Sequence, residues 1–359
     1  MIKELIAPLP SLCETLASEK RAIVLYGMGT GAEKIYSYLK RHNIEIKGIV
    51  ASDGFVRGNL FLGFNVKSIK QAESELGPLC LVLCFGLEGE RSHFLAELAK
   101  QHRILSPNLP VFGETVCDKD FIIENAEGFE RVYESLADEL SREIFVSLLK
   151  YNATGEIKYL DIKDSNVPPS EFFNHSARHI DIGAYDGDTV AEFVENSNSY
   201  ADIVAFEPDR STYKKLCANT KGIRGVIAEN SAVGDKNGEI AFASGGGRAS
   251  HSGEGNETVS CVSVDSYCGF THIDAKGVPV GSIKIDAEGM DKRVIYGAVN
   301  TIYCCKCAVS VALYHRGEDI IELPMLLKKH YHKYDLYLRK KEYVPAWDVF
   351  LYAIPRRNR

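Results

Sequence analysis

The segment His179-Ile-Asp-Ile-Gly-Ala-Tyr-Asp-Gly-Asp-Thr189 constrains this chain more than any other. Its apolar start reads as a buried strand, its two glycines as a tight loop, and Thr189 onward as the opening of a helix. Strand, glycine loop and helix in that order make the ligand-binding turn of doubly wound α/β sheets. Ile203-Val-Ala-Phe206 reads as a second buried strand ending on Glu207, which sets an acid beside the glycine loop. A carboxylate there suits the diol of a ribose. The loop also carries Asp181, Asp186 and Asp188, and a helix N-terminus meant for pyrophosphate would not be crowded with acids. The expected ligand is a cationic nucleoside, and S-adenosylmethionine fits.

With 359 residues, 45% of them apolar, the chain has enough material for two cores. A net charge of −7 and the lack of a Lys/Arg-rich block argue against binding to a phosphate backbone, so no nucleic-acid partner is expected. Met1 to Lys20 has prolines and acids where a secretory signal needs an apolar core. The longest apolar run, around Leu79 to Phe85, is too short to span a bilayer. Ten scattered cysteines read as reduced thiols, and the expected location is the cytoplasm. The one cluster, Cys304-Cys305-Lys306-Cys307, lacks the two-residue spacer and second ligand pair of a metal knuckle, so no metal site is expected from it.

Residues 1–115 read as a small Rossmann-like domain. Arg21 to Tyr26 is its first strand, Gly27-Met-Gly29-Thr-Gly31-Ala32 a turn, Glu33 to Arg41 a helix, and Ile46 to Val50 a strand ending near Asp53. A further strand spans Leu79 to Phe85, followed by a helix from about Glu90 to Gln101. This unit resembles the amino-terminal nucleotide-binding domains attached to bacterial sugar-modifying enzymes; a bound dinucleotide or nucleotide-sugar and a purely architectural role are equally open. Residues 116–175 form a helical connector or lid. Val132, Tyr133, Leu136, Leu140, Ile144, Phe145, Leu148 and Leu149 keep one helical period, stopped by Asn152 and Gly155.

Residues 176–359 alternate strand and helix in class I methyltransferase order, which predicts a seven-stranded sheet with an antiparallel edge hairpin. After His179 to Ile182, Thr189-Val-Ala-Glu192 offers a capping box. Asp209 is placed to cap the next helix. Gly225 to Ala228 is a third strand, Glu239 to Ala243 a hairpin-like excursion, and Ser244 to Gly255 a glycine- and serine-rich loop. Ser282 to Ile285 closes on Asp286-Ala-Glu288-Gly289, and Ala308 to Leu313 on Tyr314-His315-Arg316. Strands near Asp335 to Arg339 and Asp348 to Ile354 supply the hairpin.

Five motifs in this order carry a resemblance to the FkbM family of S-adenosylmethionine-dependent methyltransferases: Asp181 to Thr189, Phe206-Glu-Pro208, Lys284-Ile-Asp-Ala-Glu-Gly289, Leu313-Tyr-His315, and Tyr337-Leu-Arg339 with Leu351-Tyr-Ala-Ile-Pro355. It spans roughly residues 125–355. The resemblance implies O-methylation of a small-molecule or glycan acceptor. It also implies that Asp181, Gly183, Tyr185, Asp186 and Gly187 wrap the methionine part of the cofactor, that Glu207 takes the ribose, and that Glu229 or Asn230 reaches the adenine edge. Met290-Asp291 departs from the family pattern, in a position that begins a helix.

Methyl transfer needs an acceptor held in line with the sulfonium and relieved of its proton. Asp286, Glu288 and His315 stand at strand ends beside the glycine loop. His315 is the expected general base, since an imidazole titrates near neutrality and a neighbouring carboxylate raises its basicity; Arg316 is expected to orient an anionic or sugar substrate. A divalent cation held by the same three side chains is the lesser variant. Two other classes stay open: an NAD-dependent sugar-modifying oxidoreductase using the first glycine turn, and a non-catalytic nucleotide-binding scaffold.

Overall fold

The computed structural model describes every residue except 57, 90–92, 244–250, 253–256, 273–275 and 357–359. The expected loop from Ser244 to Gly255 therefore falls almost wholly outside the described residues.

The carboxyl-terminal half is organised by a seven-stranded sheet. Its order is Val226–Glu229, Ile203–Phe206, Arg178–Ile182, Val280–Ile285, Ala308–Ala312, Val349–Pro355, Tyr334–Lys340. The first five strands are parallel, and Val349–Pro355 runs antiparallel to both of its neighbours. This is the expected sheet with its edge hairpin. Parallel strands buried on both faces read as continuous apolar runs, and Ile203–Phe206 and Ala308–Ala312 are buried throughout. The strand order reverses between Arg178–Ile182 and Val280–Ile285, and a crevice opens at the carboxyl ends of strands at such a reversal.

A second sheet occupies the amino-terminal part, in the order Leu60–Phe61, Phe64–Ser68, Gly48–Ala51, Ala22–Tyr26, Leu79–Leu83, Arg103–Leu105. It is parallel apart from the Leu60–Phe61 hairpin. The two sheets are not independent. One buried apolar cluster runs from Leu81 through Phe129, Phe145 and Leu148 to Ile283 and Leu336. Each such side chain contributes about 1.5–3 kcal/mol on full burial, so the helices between the sheets act as a shared core. A short antiparallel ribbon, Leu87–Glu88 with Tyr343–Val344, also ties the first unit to the second.

The connector departs from the single helix that its periodicity predicts. It forms Ala126–Ser135 and Glu139–Thr154, broken at Leu136. Asp138 accepts from the Ser141 backbone N–H at 2.9 Å and starts the second helix, while the Ala137 N–H donates to the Leu336 carbonyl at 2.8 Å. A local cap and a distant strand together outcompete helical continuity. Gly155 ends the second helix at φ 69°, as expected. The helix after the glycine loop also starts differently. It spans Asp188–Asn196 behind Gly187, and Thr189 makes no capping box; its hydroxyl donates to Asp181 at 2.5 Å. Asp209 caps Arg210–Asn219 through the Ser211 and Thr212 N–H groups. The excursion is larger than a hairpin: Gly238–Ala243 pairs with Glu257–Val262, which pairs in turn with Ala232–Val233. Among the described residues, no helix is long and apolar enough to cross a membrane.

Candidate active site

A cavity of about 270 Å³ lies at the carboxyl ends of the central strands. Gly183, which follows the Arg178–Ile182 strand at φ 74°, sets its floor. A Cβ on Gly183 would stand 1.9 Å from the Asp286 carbonyl oxygen, so the two strand ends approach as closely as they do only because this residue has no side chain. Tyr185 and Glu288, both lining the cavity, also take left-handed backbone at φ 49°. Non-glycine residues held there cluster at functional sites.

Glu207 enters from the end of the Ile203–Phe206 strand. It is 7% exposed and accepts from the backbone N–H of Asp209 at 2.7 Å and of Tyr185 at 3.1 Å. Burial pushes its carboxyl up to about 7, against the opposing pull of the Asp209 N–H. A carboxylate so poorly solvated gains from a ligand that brings hydroxyl donors. Beside it, Phe206, Ala232, Val233, Phe242 and Met290 line an apolar slot. An acid flanked by such a slot fits a ribose and its base, and Asp188, also on the cavity wall, fits an α-amino group.

The opposite wall is a buried ionic network. Lys284, 6% exposed, reaches Asp181 at 3.1 Å and Asp286 at 3.7 Å, and its ammonium donates to the Gly183 carbonyl at 2.8 Å. His315 is 0% exposed. Its Nδ1 lies 2.9 Å from Asp291 Oδ2, and its Nε2 lies 3.1 Å from Asp286 Oδ1 and 3.8 Å from Glu288. Burial alone would depress the imidazole; Asp291 and Asp286 outweigh it and hold His315 protonated well above its ordinary value. For Asp286 burial would raise the carboxyl, but Lys284 and His315 hold it far below the usual range. The Tyr314 hydroxyl also donates to Asp286, at 3.0 Å. Glu288 differs: burial, opposed by His315, pushes it up to about 8.

Of the residues singled out from sequence, Gly183, Tyr185, Glu207, Asp286 and Glu288 line the cavity. Others do not. His315, the expected general base, has the carboxylate neighbours Asp291 and Asp286 but is not among the side chains that line the cavity. Asp181 is fully buried and spent on Lys284 and Thr189. Gly187 faces the Arg210–Asn219 helix, near Leu216 and Thr220, and the Asp186 carbonyl accepts from Asn219 at 2.9 Å. Neither Glu229 nor Asn230 reaches the slot: Glu229 accepts from the Tyr267 hydroxyl at 2.9 Å, and the Asn230 amide donates to the Glu207 carbonyl at 2.9 Å. Arg316 turns away, its Nε donating to the Gly289 carbonyl at 3.0 Å. The weighed cation variant finds no support either, since no three His, Cys, Asp or Glu side chains among the described residues converge as a metal set.

Three contributors carry no clear signal in the sequence. Lys284 sits inside an apolar strand, where a lone charge hints at a buried partner without naming it. Asp291 reads as a first-turn helix acid, yet it is 1% exposed and accepts from the N–H groups of Ala287 and Gly289 at 2.9 and 3.1 Å. Trp347 comes from a loop and lines the cavity mouth. In the first domain the glycine turn is backed by the protein itself: Phe85 lies against Gly27 and edge-on to Tyr26, centroids 4.9 Å apart.

The comparisons agree with this geometry. Across 98% of its length the chain is similar to a solved methyltransferase FkbM structure from Methylobacillus flagellatus KT, of which it covers 92%, at 17% identity and a TM-score of 0.66. That likeness shows the two-part fold. Weaker similarity extends to an rRNA methylase from Streptococcus thermophilus (10% identity, 52% of this chain and 92% of that one, TM-score 0.35). An Aeropyrum pernix fibrillarin bound to S-adenosyl-L-methionine is comparably distant (8% identity, 51% and 68%, TM-score 0.32). No curated protein matches the sequence. Residues 181–344, which carry the switch-point cavity and the ionic wall behind it, match the family described as the methyltransferase FkbM domain.

Proposed function

We propose that the protein is an S-adenosylmethionine-dependent O-methyltransferase acting on a hydroxyl of a carbohydrate or secondary metabolite. The observation that carries this reading is the single cavity shared by Glu207 with its apolar slot and by the acids Asp286 and Glu288. When bound there, S-adenosylmethionine supplies an electrophilic methyl group. Glu207 accepts the ribose hydroxyls, Asp188 meets the α-amino group, and the backbone at Gly183 and Tyr185 gives the methionine chain room.

Glu288 is the group suited to take the acceptor's proton. A carboxyl pushed up to about 8 is a far stronger base than Asp286, which Lys284 and His315 keep ionised. Asp286 accepts a hydrogen bond from a neighbouring hydroxyl of the acceptor and so holds the reacting hydroxyl against Glu288. His315 is a positioning residue: anchored by Asp291, it fixes Asp286 and lowers the cost of charge on Glu288. The C–O bond forms as the C–S bond breaks, and the hydroxyl proton ends on Glu288.

Within this reading residues 1–115, 116–175 and 176–359 act as nucleotide-type domain, connector and catalytic domain. Packing of Glu139–Thr154 on the Tyr334–Lys340 strand, and of Ala126–Ser135 on Asp319–His330, supports assigning the connector to the catalytic side. Ten free cysteines accord with the cytoplasm. The test is formation of S-adenosylhomocysteine from S-adenosylmethionine with a panel of neutral glycosides, wild type against Glu288→Gln. A fall in kcat of about 10²–10⁴ with little change in KM is expected for loss of a general base. Wild-type turnover in the variant contradicts the assignment.

A further inference from the structure

The cavity extends past the cofactor slot to a mouth built from both halves of the chain. There Leu87–Glu88 of the first domain pairs with Tyr343–Val344 of the second, Tyr343 opposite Glu88. The Gly89 N–H donates to the Glu342 carbonyl at 2.8 Å and continues the ribbon. Gly86 lies directly beneath two aromatic rings: a Cβ there would stand 2.6 Å from the Tyr343 hydroxyl and 2.9 Å from the Trp347 ring. The Tyr343 and Trp347 centroids are 5.6 Å apart at 35°, a tilted pair that offers a broad apolar face. Glu88 and Val111, both from the amino-terminal part, line the same cavity as Asp286 and Glu288.

Two further facts describe what this mouth accepts. The Trp347 indole N–H is buried and has no acceptor among the described residues, although such donors are nearly always satisfied. The cavity as a whole carries seven acidic side chains, of which burial holds Glu207 and Glu288 toward the neutral form, against the two ammonium groups of Lys284 and Lys341, and Lys341 is already paired with Glu192 at 2.8 Å. Walls of that sign repel phosphates, sulfates and uronates. A ring with one apolar face and several hydroxyls answers every feature: the face covers the aromatic pair, one oxygen accepts from the indole, and other hydroxyls donate to carboxylates.

Resting on the reading of the cavity given above, we propose that the amino-terminal domain completes the acceptor site, and that Glu88, Tyr343 and Trp347 form a subsite for an uncharged polyhydroxylated ring, a neutral sugar. The first domain thereby selects the acceptor while the second performs the chemistry.

Trp347 is the sole tryptophan of the chain, so indole fluorescence reports this subsite alone. The full-length protein, loaded with S-adenosylhomocysteine and with loading measured by calorimetry on the same sample, is titrated with methyl glycosides of neutral hexoses and deoxyhexoses, then with hexose phosphates and uronates. The expected result is a saturable fluorescence change with a neutral glycoside and none with the anionic set. Glu88→Gln should weaken that glycoside about three- to tenfold while S-adenosylhomocysteine affinity stays put. Trp347→Phe keeps a ring in place and serves as the folding control: it should lose the signal and weaken the glycoside by calorimetry while still loading. A loaded protein whose Trp347 responds to no neutral glycoside, or responds better to the anionic ones, overturns the subsite and leaves the cofactor reading intact. Failure of loading with a glycoside response overturns the cofactor reading and leaves the subsite standing.

Discussion

Replacing Gly183 by alanine puts a methyl carbon 1.9 Å from the Asp286 carbonyl oxygen, where contact requires roughly 3.5 Å. The two strand ends must then part by about 1.5 Å. That opening works against the Gly183 and Asp286 N–H bonds to Phe206 and Ile182, both 3.0 Å, and against the Lys284 bond to the Gly183 carbonyl. Alanine in the left-handed region costs about 1–2 kcal/mol, and forcing extra volume into a packed site about 1–3 kcal/mol, so the variant should lose about 2–5 kcal/mol. For a domain of this size the loss corresponds to a drop in Tm of about 5–15 °C in calorimetry. Because Asp286 moves with the strand, affinity for S-adenosylmethionine should also fall at temperatures where the variant is folded. A variant whose Tm and affinity both match wild type refutes the claim that this close approach shapes the site.

Glu207→Gln should weaken S-adenosylmethionine by about ten- to a hundredfold, the worth of charge-assisted bonds to a diol, measured by calorimetry. In the wild type, affinity should rise about tenfold from pH 6 to pH 8 as the Glu207 carboxyl, near 7 in the free protein, ionises; the glutamine variant should show no such rise. The same raised value fixes a stability sign: this group's contribution is whole below the ordinary glutamate value and is lost as pH climbs through about 7, so the ligand-free wild type should lose Tm over that window more than the variant does. The rate of methyl transfer should rise with pH to a plateau above about 8 and lose that limb in Glu288→Gln. Asp291→Asn removes the counter-charge of a buried imidazolium and should cost about 3–5 kcal/mol in denaturant unfolding; a change under about 1 kcal/mol would contradict the ionic wall.

Much of the fold is legible in the residues because it rests on local repetition. Apolar runs at Ile203–Phe206 and Leu79–Leu83, glycine turns after Tyr26 and Ile182, and the acid at 207 each declare themselves within a few positions. The break at Leu136 is different in kind, since part of its cause lies at Leu336, two hundred residues away. Likewise the imidazolium at His315 depends on Asp291 and Asp286, whose distances from it follow from how strands pack, and no pattern in one segment reveals that both ring nitrogens meet carboxylates. On the expected adenine side, Glu229 ends its strand and Asn230 follows it, yet the partners that engage them, the Tyr267 hydroxyl and the Glu207 carbonyl, come from other segments and are not legible locally.

The most direct test of the central claim is calorimetric titration of the full-length protein with S-adenosylmethionine and, separately, with NAD. One site of micromolar affinity for the methyl donor, lost in Glu207→Ala, is the predicted result. Heat from NAD with none from S-adenosylmethionine would contradict it and move the ligand site to the glycine turn at Gly27.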